Sequence, residues 1–435
     1  MASAYRPVTA VTVYAWGKKV GAVARDPRLR AYSFEYAPEW LALGIELAPL
    51  HMPLRAQPYT FAQLPEPTYR GLPAMLADAL PDEFGNALID SYLAGKGVSK
   101  DQITSLDRLA YMAGRAMGAL TFHPPRSPRT TKPTAVELHD LVVAARNAVS
   151  GHFDGDRETE AALKNLLQVG TSAGGQRAKA VIAWNPITNE IRSGQGSTPD
   201  GFTPWILKLD GVKPVMKEGV FEPPAHGQGY GRIEFAYYLM ATSAGIEMSE
   251  SRLLEEGPRA HFMTRRFDRD QALRHHVQSL CAMDHLDYKQ VATHDYAQLF
   301  SVIDRLELGA KAAAQAFRRM TFNVAARNQD DHTKNFAFLM REGQPWSLAP
   351  AFDLTYACNP KSQWVHQHLM AVNGTFKDIT IKDLMAVGER FGVAGMRGII
   401  AEVNDAVARW PEFAQRAGIK AAVIAEIGAN LLRIT

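Results

Sequence analysis

A polar loop followed by two apolar runs is the feature of this sequence that most restricts its fold. The loop reads Arg327-Asn328-Gln329-Asp330-Asp331-His332-Thr333-Lys334-Asn335-Phe336. The apolar runs, residues 336–340 and 346–352, are separated by a polar turn, which predicts a β-hairpin. Asp353 comes directly after the second run. The fold must therefore place a loop rich in Asp and Asn before a β-hairpin and a further aspartate, Asp353, after it.

The spacing within the loop is that of a protein-kinase catalytic loop. Asn335 follows Asp330 by five positions, and in kinases such an Asp accepts the substrate hydroxyl proton while the Asn holds Mg²⁺. Both must lie on one short loop because the attacking oxygen and the metal ion approach the same phosphorus. Asp353 takes the place of the second metal-binding Asp, which in ordinary kinases precedes Phe-Gly but here precedes Leu354-Thr355.

Other interpretations of the loop stay open at this point. Loops rich in Asp and Asn are often turns with self-capping side chains, and His332 with an adjacent Asp could be a fragment of a metal site. Asp331 is the competing candidate for the base. Only Asp330, however, has the five-residue spacing to Asn335.

A kinase also needs a phosphate-binding loop and a strand lysine upstream. The small-residue turn Val169–Gln176 could turn backbone N–H groups toward an anion, although it lacks the usual G-x-G-x-x-G pattern. Lys208 lies in the apolar run Trp205–Leu209, where an unpaired ammonium group would be costly. Glu234, near the start of the next predicted helix, is the candidate partner, and a Lys208 side chain that reaches solvent is the alternative. Residues 263–267 would then form the hinge strand that binds adenine.

The length of 435 residues predicts two or three packed units rather than one core. The predicted strands are residues 11–16, 20–23, 32–36, 179–184, 205–209 and 261–267. The predicted helices are residues 82–93 (with Asp82 as N-cap), 101–118, 135–168 and 231–245, and helices dominate from residue 286. Residues 123–134, rich in Pro, Arg, Ser and Thr, form the best candidate linker.

The composition is typical of a soluble cytoplasmic protein. Apolar residues make up 46% and charged residues 21%, and a net charge of +3 does not indicate a nucleic-acid-coating protein. Cys281 and Cys358 lack metal-ligand spacing and are expected to be reduced thiols. The N-terminus does not read as a signal peptide, and no stretch approaches the about 18 apolar residues of a membrane span.

Five short segments, spread over nearly the whole chain, carry a resemblance to a known family. They are Leu80-Pro81-Asp82-Glu83-Phe84-Gly85-Asn86, Thr171-Ser172-Ala173-Gly174-Gly175-Gln176-Arg177-Ala178-Lys179, Phe262-Met263-Thr264-Arg265-Arg266-Phe267-Asp268-Arg269, Asp330-Asp331-His332-Thr333-Lys334-Asn335 and Leu348-Ala349-Pro350-Ala351-Phe352-Asp353. In this order they resemble the HipA family of serine/threonine kinase toxins from type II toxin–antitoxin systems.

The resemblance implies the α+β fold class and a two-lobed HipA-like kinase fold, related to phosphoinositide and protein kinases. A small β-rich N-terminal subdomain and a mainly α-helical C-terminal lobe are expected. We predict the HipA N-terminal subdomain in residues 1–125 and a nucleotide-binding N-lobe region in residues 135–270. The helical C-lobe, with the catalytic loop and the metal-binding segment, is predicted in residues 271–435.

The resemblance also implies ATP and Mg²⁺ as cofactors and a role for each matching residue. Asp330 would be the catalytic base, with Asn335 and Asp353 holding Mg²⁺, and Glu234 would form a structural ion pair with Lys208. The residues expected to bind ATP are Ser172, Ala173, Gly174, Gly175, Lys208, Arg265 and Phe267 (both through the backbone) and His332. Family members phosphorylate a serine at the entrance of the glycine-rich loop, which silences them. Thr171 has the matching position here and Ser172 lies beside it, so either hydroxyl is a candidate for autophosphorylation.

The predicted function is that of a serine/threonine protein kinase toxin that phosphorylates a protein target and itself, causing growth arrest. The implied partners are a HipB-like helix-turn-helix antitoxin and a protein of the translation machinery, such as glutamyl-tRNA synthetase. DNA would be contacted only through the antitoxin, and no membrane contact is expected. Two alternatives remain: a catalytically silent co-repressor that binds an antitoxin–DNA complex, and a kinase of small molecules or lipids.

Overall fold

The computed structural model describes residues 5–29, 31–81, 83–126, 138–150, 178–195, 198–212 and 229–435. The strands in these residues are β1 Ala10–Ala15, β2 Lys18–Asp26, β3 Ala31–Tyr36, β4 Tyr59–Thr60, β5 Leu120–His123, β6 Lys179–Trp184, β7 Ile191–Ser193, β8 Thr203–Lys208, β9 Ser251–Glu256, β10 Arg259–Arg265, β11 Arg269–Asp270, β12 Leu273–Arg274, β13 His276–Ser279, β14 His294–Asp295, β15 Ala337–Met340, β16 Trp346–Leu348 and β17 Met370–Ala371. The α-helices are Pro38–Leu41, Glu66–Tyr69, Ala74–Ala77, Glu83–Ala94, Ser105–Met112, Leu138–Ser150, Tyr230–Ser243, Leu280–Met283, Tyr296–Arg305, Gly309–Ala325, Ile381–Arg390, Met396–Ala408, Trp410–Arg416 and Ala421–Gly428.

The chain divides into two compact units. Unit 1 comprises Met1–Met216, Arg265–Gln278 and Met340–Gln344. Unit 2 comprises Lys217–Thr264, Ser279–Leu339 and Pro345–Thr435. None of the helices in the described ranges is long and apolar enough to cross a bilayer.

An antiparallel sheet with the strand order β4-β3-β2-β1-β5 forms the N-terminal part of unit 1. Buried side chains alternate along β1, as the period of two in a half-buried strand requires. β1 and β2 are joined through Trp16 and Gly17, both at positive φ (52° and 75°), which is the backbone conformation of a tight hairpin turn. The hairpin and the third strand predicted at residues 32–36 are both confirmed.

The prediction of one helix over residues 101–118 is wrong in its extent. The helix spans Ser105–Met112 and ends where Ala113 turns to a φ of 48°. The chain then reverses through Gly118, at a φ of 82°, and enters β5, which pairs with β1. Apolar spacing alone could not reveal this strand, because its stabilising backbone hydrogen bonds go to a strand about a hundred residues earlier.

The second sheet region of unit 1 consists of β6 with β7 on one side and β8 on the other, both antiparallel. Every residue of β6 is buried, so the strand is a continuous apolar run after its first lysine. The predicted strands at residues 179–184 and 205–209 are confirmed, the latter as Thr203–Lys208. The predicted helix at residues 135–168 is described only for Leu138–Ser150, and its continuation lies outside the described residues. Asp82, the predicted N-cap of the helix at residues 82–93, also lies outside the described residues.

A buried ion cluster holds residues 266–274 against the Gly118 turn in unit 1. Asp268, fully buried, accepts hydrogen bonds from Arg266 (Nε at 2.9 Å, Nη2 at 2.7 Å), from the Gly118 N–H at 2.8 Å and from Arg269. Arg269 and Arg274 also donate to the Gly118 carbonyl. Burial would by itself raise the pKa of Asp268, but Arg266 and Arg269 hold this pKa below its usual range. Burial lowers the pKa of Arg269, and the charge of Asp268 opposes this shift.

The buried ring of His276, also in unit 1, is expected to make the folded state less stable in acid. The ring is 1% exposed, its Nε2–H donates to the Leu47 carbonyl at 3.0 Å, and burial lowers its pKa from 6.5 to about 4. Below pH 6.5 the unfolded chain takes up a proton that the folded chain refuses until about pH 4. The folded state therefore loses stability as the pH falls through this window, by about 3 kcal/mol in total.

We expect the urea midpoint of the wild type to fall more steeply between pH 7.5 and pH 5.0 than that of His276→Gln, which cannot titrate. His139→Gln, at an exposed histidine, is the matched control and should retain the wild-type slope. If the urea midpoints of the wild type and of His276→Gln fall equally with pH, His276 is not the group that causes the loss of stability.

Unit 2 is built mainly from helices, as predicted for the chain after residue 286. The helix Gly309–Ala325 packs against Tyr296–Arg305 and Met396–Ala408 and buries its C-terminal half. A second helix, Tyr230–Ser243, confirms the prediction at residues 231–245 and closely approaches β10. A Cβ atom at Gly231 would lie 2.0 Å from the Ala260 carbonyl oxygen, so only glycine permits this approach.

The hairpin predicted after the polar loop is confirmed as β15 and β16. Ala349 N–H donates to the Ala337 carbonyl at 2.9 Å, which closes the pair. The second strand ends at Leu348, earlier than predicted, and the chain continues as a loop that bridges from Ala351 to Met248. Asp353 therefore lies in a loop beyond the strand.

Candidate active site

The polar loop of residues 327–336 begins where the helix Gly309–Ala325 ends. Arg327 adopts the left-handed conformation, with a φ of 55°, and turns the chain out of the helix. Ala357 then holds the loop from both sides: Gln329 N–H donates to its carbonyl at 2.9 Å, and its own N–H donates to the Arg327 carbonyl at 3.2 Å. The entrance of the loop is thus fixed by backbone hydrogen bonds before Asp330 is reached.

A single 3₁₀ turn, Thr333–Asn335, brings Asp330 and Asn335 together. Asn335 N–H donates to the His332 carbonyl at 2.9 Å, and the Asn335 side-chain amide donates to the Asp330 carbonyl at 2.7 Å. An amide that donates through its nitrogen points its oxygen away from that contact. The Asn335 amide oxygen therefore points away from the Asp330 carbonyl.

The Asp330 carboxylate is reachable from solvent but crowded by protein atoms. Its side chain is 40% exposed, and one oxygen accepts a hydrogen bond from the Trp364 indole at 2.7 Å. Burial raises the pKa of Asp330, whereas the nearby His332 and the Trp364 indole act to lower this pKa. The charges of Asp353 and Asp331 raise the pKa further, and the net shift is upward. A base with a raised pKa takes a proton more readily near neutral pH.

Asp331, the competing candidate for the base, is enclosed by hydrogen-bond donors. Its side chain is fully buried, with one oxygen accepting from the Tyr296 hydroxyl and from His368 Nδ1, both at 2.8 Å. The other oxygen accepts from the Leu369 N–H at 2.8 Å. This arrangement anchors the loop in the core and leaves no approach for a substrate hydroxyl, so the geometry favours Asp330.

Asp353 lies close enough to Asp330 for its charge to raise the Asp330 pKa. Its segment is held by Arg319, whose guanidinium donates to the Ala349 carbonyl at 2.8 Å, and by Ala351 N–H, which donates to the Glu247 carbonyl at 2.8 Å. Asp353 itself has a φ of 53°, a conformation that Asp tolerates better than most residues and that recurs at functional sites.

The oxygen atoms of Asn335 and Asp353 fit the requirements of Mg²⁺. Among the described residues no group of three or more His, Cys, Asp or Glu side chains is placed to hold a metal ion. Mg²⁺ does not need such a group, because it retains several waters and binds one or two carboxylates together with substrate phosphates. The Asp353 carboxylate, whose charge acts on Asp330, and the amide oxygen of Asn335 suit this mode of binding.

Lys208 is accompanied in unit 1 by a lysine that the sequence reasoning missed. Lys179, the first residue of β6, is directly opposite Lys208, the last residue of β8, so both side chains lie on one face of the sheet. Lys179 is only 4% exposed. Two like charges side by side are unfavourable unless negative charge compensates them. The signal was present, since Lys179 ends the small-residue segment that begins at Thr171.

The other predicted site residues have the following places. Glu234 is 2% exposed in the helix Tyr230–Ser243 of unit 2, and its pairing with Lys208 of unit 1 stays a prediction. Arg265 ends β10, and Phe267 lies two residues beyond it, outside the strand. His332 is 12% exposed and packs against the rings of Tyr288 and Trp364. Thr171, Ser172, Ala173, Gly174 and Gly175 lie outside the described residues.

Comparison with known proteins identifies the family. A family model described as the HipA N-terminal domain matches residues 11–123, and one described as the HipA-like C-terminal domain matches residues 171–410, more than half of the chain. The chain belongs to the HipA family. A search of the curated proteins found no match.

One solved structure confirms the HipA fold over nearly the whole chain. HipA of Shewanella oneidensis MR-1, from a toxin–antitoxin complex with HipB and operator DNA, has a TM-score of 0.64 and 17% identity, and the match covers 96% of this chain and 95% of that one. The predicted mixed α+β class is thereby confirmed. The Helicobacter pylori proinflammatory kinase CtkA matches with a TM-score of 0.33 and 14% identity, over 54% of this chain and 89% of that one.

Proposed function

We propose that this HipA-family protein is an ATP- and Mg²⁺-dependent kinase that phosphorylates serine or threonine of a protein. The observation that carries the proposal is the hydrogen bond from the Asn335 side-chain amide to the Asp330 carbonyl, made where the 3₁₀ turn Thr333–Asn335 follows Asp330 in the loop, with the charge of Asp353 acting on the Asp330 carboxylate. This is the arrangement of acid, amide and second acid that phosphoryl transfer requires.

The proposed reaction moves one phosphoryl group and one proton. The oxygen of the acceptor hydroxyl forms a bond to the γ-phosphorus of ATP, the bond from that phosphorus to the β,γ-bridging oxygen breaks, and ADP leaves. The hydroxyl proton passes to the Asp330 carboxylate. Asn335 and Asp353 would hold Mg²⁺, which when bound neutralises charge on the phosphate oxygens.

The remaining predicted residues would hold the nucleotide. Lys208, together with the buried Lys179, supplies positive charge suited to the ATP phosphates, and Glu234 would orient Lys208. Arg265 and Phe267 would bind adenine through the backbone, and His332 would contact the nucleotide beside the base. In the glycine-rich segment, Ser172, Ala173, Gly174 and Gly175 would bind the phosphates, with Thr171 or Ser172 as the site of autophosphorylation.

We also propose that the protein is the toxin of a toxin–antitoxin pair. Membership of the HipA family supports this role, and the solved HipA of Shewanella oneidensis was found with HipB and operator DNA. The partner would be a HipB-like helix-turn-helix antitoxin that makes the DNA contacts. The target would be a protein of the translation machinery, with glutamyl-tRNA synthetase as the first candidate, and its phosphorylation would arrest growth.

Incubation of the purified full-length protein with ATP and Mg²⁺, followed by intact mass spectrometry, tests the kinase activity. We expect the mass to increase by one phosphoryl group, ADP to be released, and EDTA to prevent both. Peptide mapping should place the phosphate on Thr171 or Ser172. Absence of ADP release, even with a translation extract as acceptor, together with tight binding to an antitoxin–DNA complex, would instead favour the co-repressor. ADP release that depends on added small molecules or lipids, and not on added protein, would favour a kinase of small molecules or lipids.

A further inference from the structure

Trp364, which lies outside the sequence motifs, forms a hydrogen bond to the proposed catalytic base, Asp330. Its indole Nε1–H donates to Oδ1 of Asp330 at 2.7 Å, from a position 34 residues later in the chain. The ring also lies near the His332 ring, with centroids 6.3 Å apart. Trp364 is therefore in direct contact with the carboxylate while standing outside the polar loop and the Asp353 segment.

The loop that carries Trp364, residues 359–365, is closed by its own hydrogen bonds. Asn359 N–H donates to the Val365 carbonyl at 3.1 Å, which joins the two ends of the loop. Ser362 Oγ accepts from the N–H groups of Trp364 at 3.0 Å and Val365 at 3.1 Å, and Ser362 is only 5% exposed. The backbone under the indole is thus held in place, and the indole N–H is directed at Asp330 before any substrate binds.

The chemistry of an indole suits the positioning of a base. A carboxylate rotates easily about its terminal torsion, and one firm hydrogen bond to Oδ1 fixes the plane of the group. The indole is a neutral donor that cannot accept a proton, so it does not compete with Asp330 for the proton of the acceptor hydroxyl. Asp330 accepts the indole N–H through Oδ1, and Oδ2 is the oxygen left to face the acceptor.

We propose that Trp364 is a positioning residue for phosphoryl transfer, holding the Asp330 carboxylate so that Oδ2 faces the acceptor hydroxyl. The inference rests on the proposed function of Asp330 as the base. The loop of residues 359–365 would thus help to align the acceptor hydroxyl with the base, a role separate from that of the residues that hold the nucleotide.

Replacement of Trp364 by Phe tests the proposal, because it removes the N–H donor and retains an aromatic ring. We expect ADP release at saturating ATP and Mg²⁺ to fall about 10- to 100-fold, the effect of slight misplacement of a reacting group. The KM for ATP should change by less than about twofold, since Trp364 is not itself a proposed nucleotide contact and the phenylalanine ring retains the packing against His332. A merely structural role would instead lower the fraction of folded protein and leave kcat per folded molecule unchanged.

Trp16→Phe is the matched control. It also deletes an indole hydrogen bond of 2.7 Å, here to the Arg274 carbonyl in unit 1, from a partly buried tryptophan. This variant should retain the wild-type rate. Wild-type kcat in Trp364→Phe, or an equal loss of kcat in both variants, would overturn the proposal.

A measurement that needs no activity separates this proposal from the proposed function. In ¹⁵N-labelled protein the indole proton of Trp364, assigned by its absence in Trp364→Phe, should shift upfield in Asp330→Ala because its acceptor is lost. An unchanged resonance would show that the two side chains are not joined, which overturns the positioning role even if the protein is an active kinase. A shifted resonance in a protein that never releases ADP would leave the contact in place and refute the kinase function instead.

Discussion

Asp330→Asn is expected to reduce ADP release by about 10²- to 10⁴-fold, the contribution of a positioned general base. The amide cannot take the hydroxyl proton, whereas its size still fills the space beside Trp364 and Asn335. The loop should keep its shape, because the buried anchor Asp331 and the backbone hydrogen bonds to Ala357 are untouched. Steady-state ADP release and the thermal midpoint, measured on the same preparations, check both expectations.

Two further variants decide how a loss of activity is interpreted. Asp304→Asn removes a carboxylate of the same kind at an exposed helix position of unit 2 and should be neutral. Asp353→Asn removes the proposed metal-binding carboxylate, so its residual rate should require more Mg²⁺ than the wild type does. If expression of both Asp330→Asn and Asp353→Asn still arrests growth and both proteins still release ADP, the assignment of the site is wrong.

Asp268→Ala is expected to lower the free energy of unfolding by about 3–5 kcal/mol, the cost of removing one partner from a buried ion cluster. The side chains of Arg266 and Arg269, 3% and 12% exposed, would remain in the interior without their shared carboxylate. The Gly118 N–H would lose its acceptor as well. Urea unfolding, followed by circular dichroism, measures the change.

Asp270→Ala is the control for this prediction, since Asp270 is exposed two residues away, and it should change stability by less than about 0.5 kcal/mol. Asp268→Asn serves as the second variant if the alanine protein does not fold. It retains an oxygen acceptor and should fall between the other two. Equal urea midpoints for all three variants and the wild type would show that the cluster does not stabilise unit 1.

The fold was predictable where the signal was local. The hairpin at β1 and β2 has apolar, β-branched residues on both sides of a tight turn, and the helix Tyr230–Ser243 is a 14-residue segment without proline, longer than a typical strand. β5 was missed because four residues of strand have little pattern of their own and depend on pairing with β1. The residues between Leu348 and Asp353 were predicted as strand but form a loop, because beyond Ala349 the backbone leaves β15 and pairs only through a single bridge from Ala351 to Met248.

The sequence by itself determined the pairing of Asp330 with Asn335 and the hairpin that follows them. A 3₁₀ turn and a hairpin are short-range structures, so residue spacing specifies them directly. Only the tertiary structure decided that Asp331 is an enclosed anchor, that Lys179 lies opposite Lys208, and that the Trp364 indole binds Asp330. Such contacts depend on which distant segments pack together and on what that packing buries. Neither the packing of distant segments nor the burial that results from it produces a local pattern in the sequence. The loop of residues 327–336 could therefore be recognised from the sequence, whereas the side chains that support it could not.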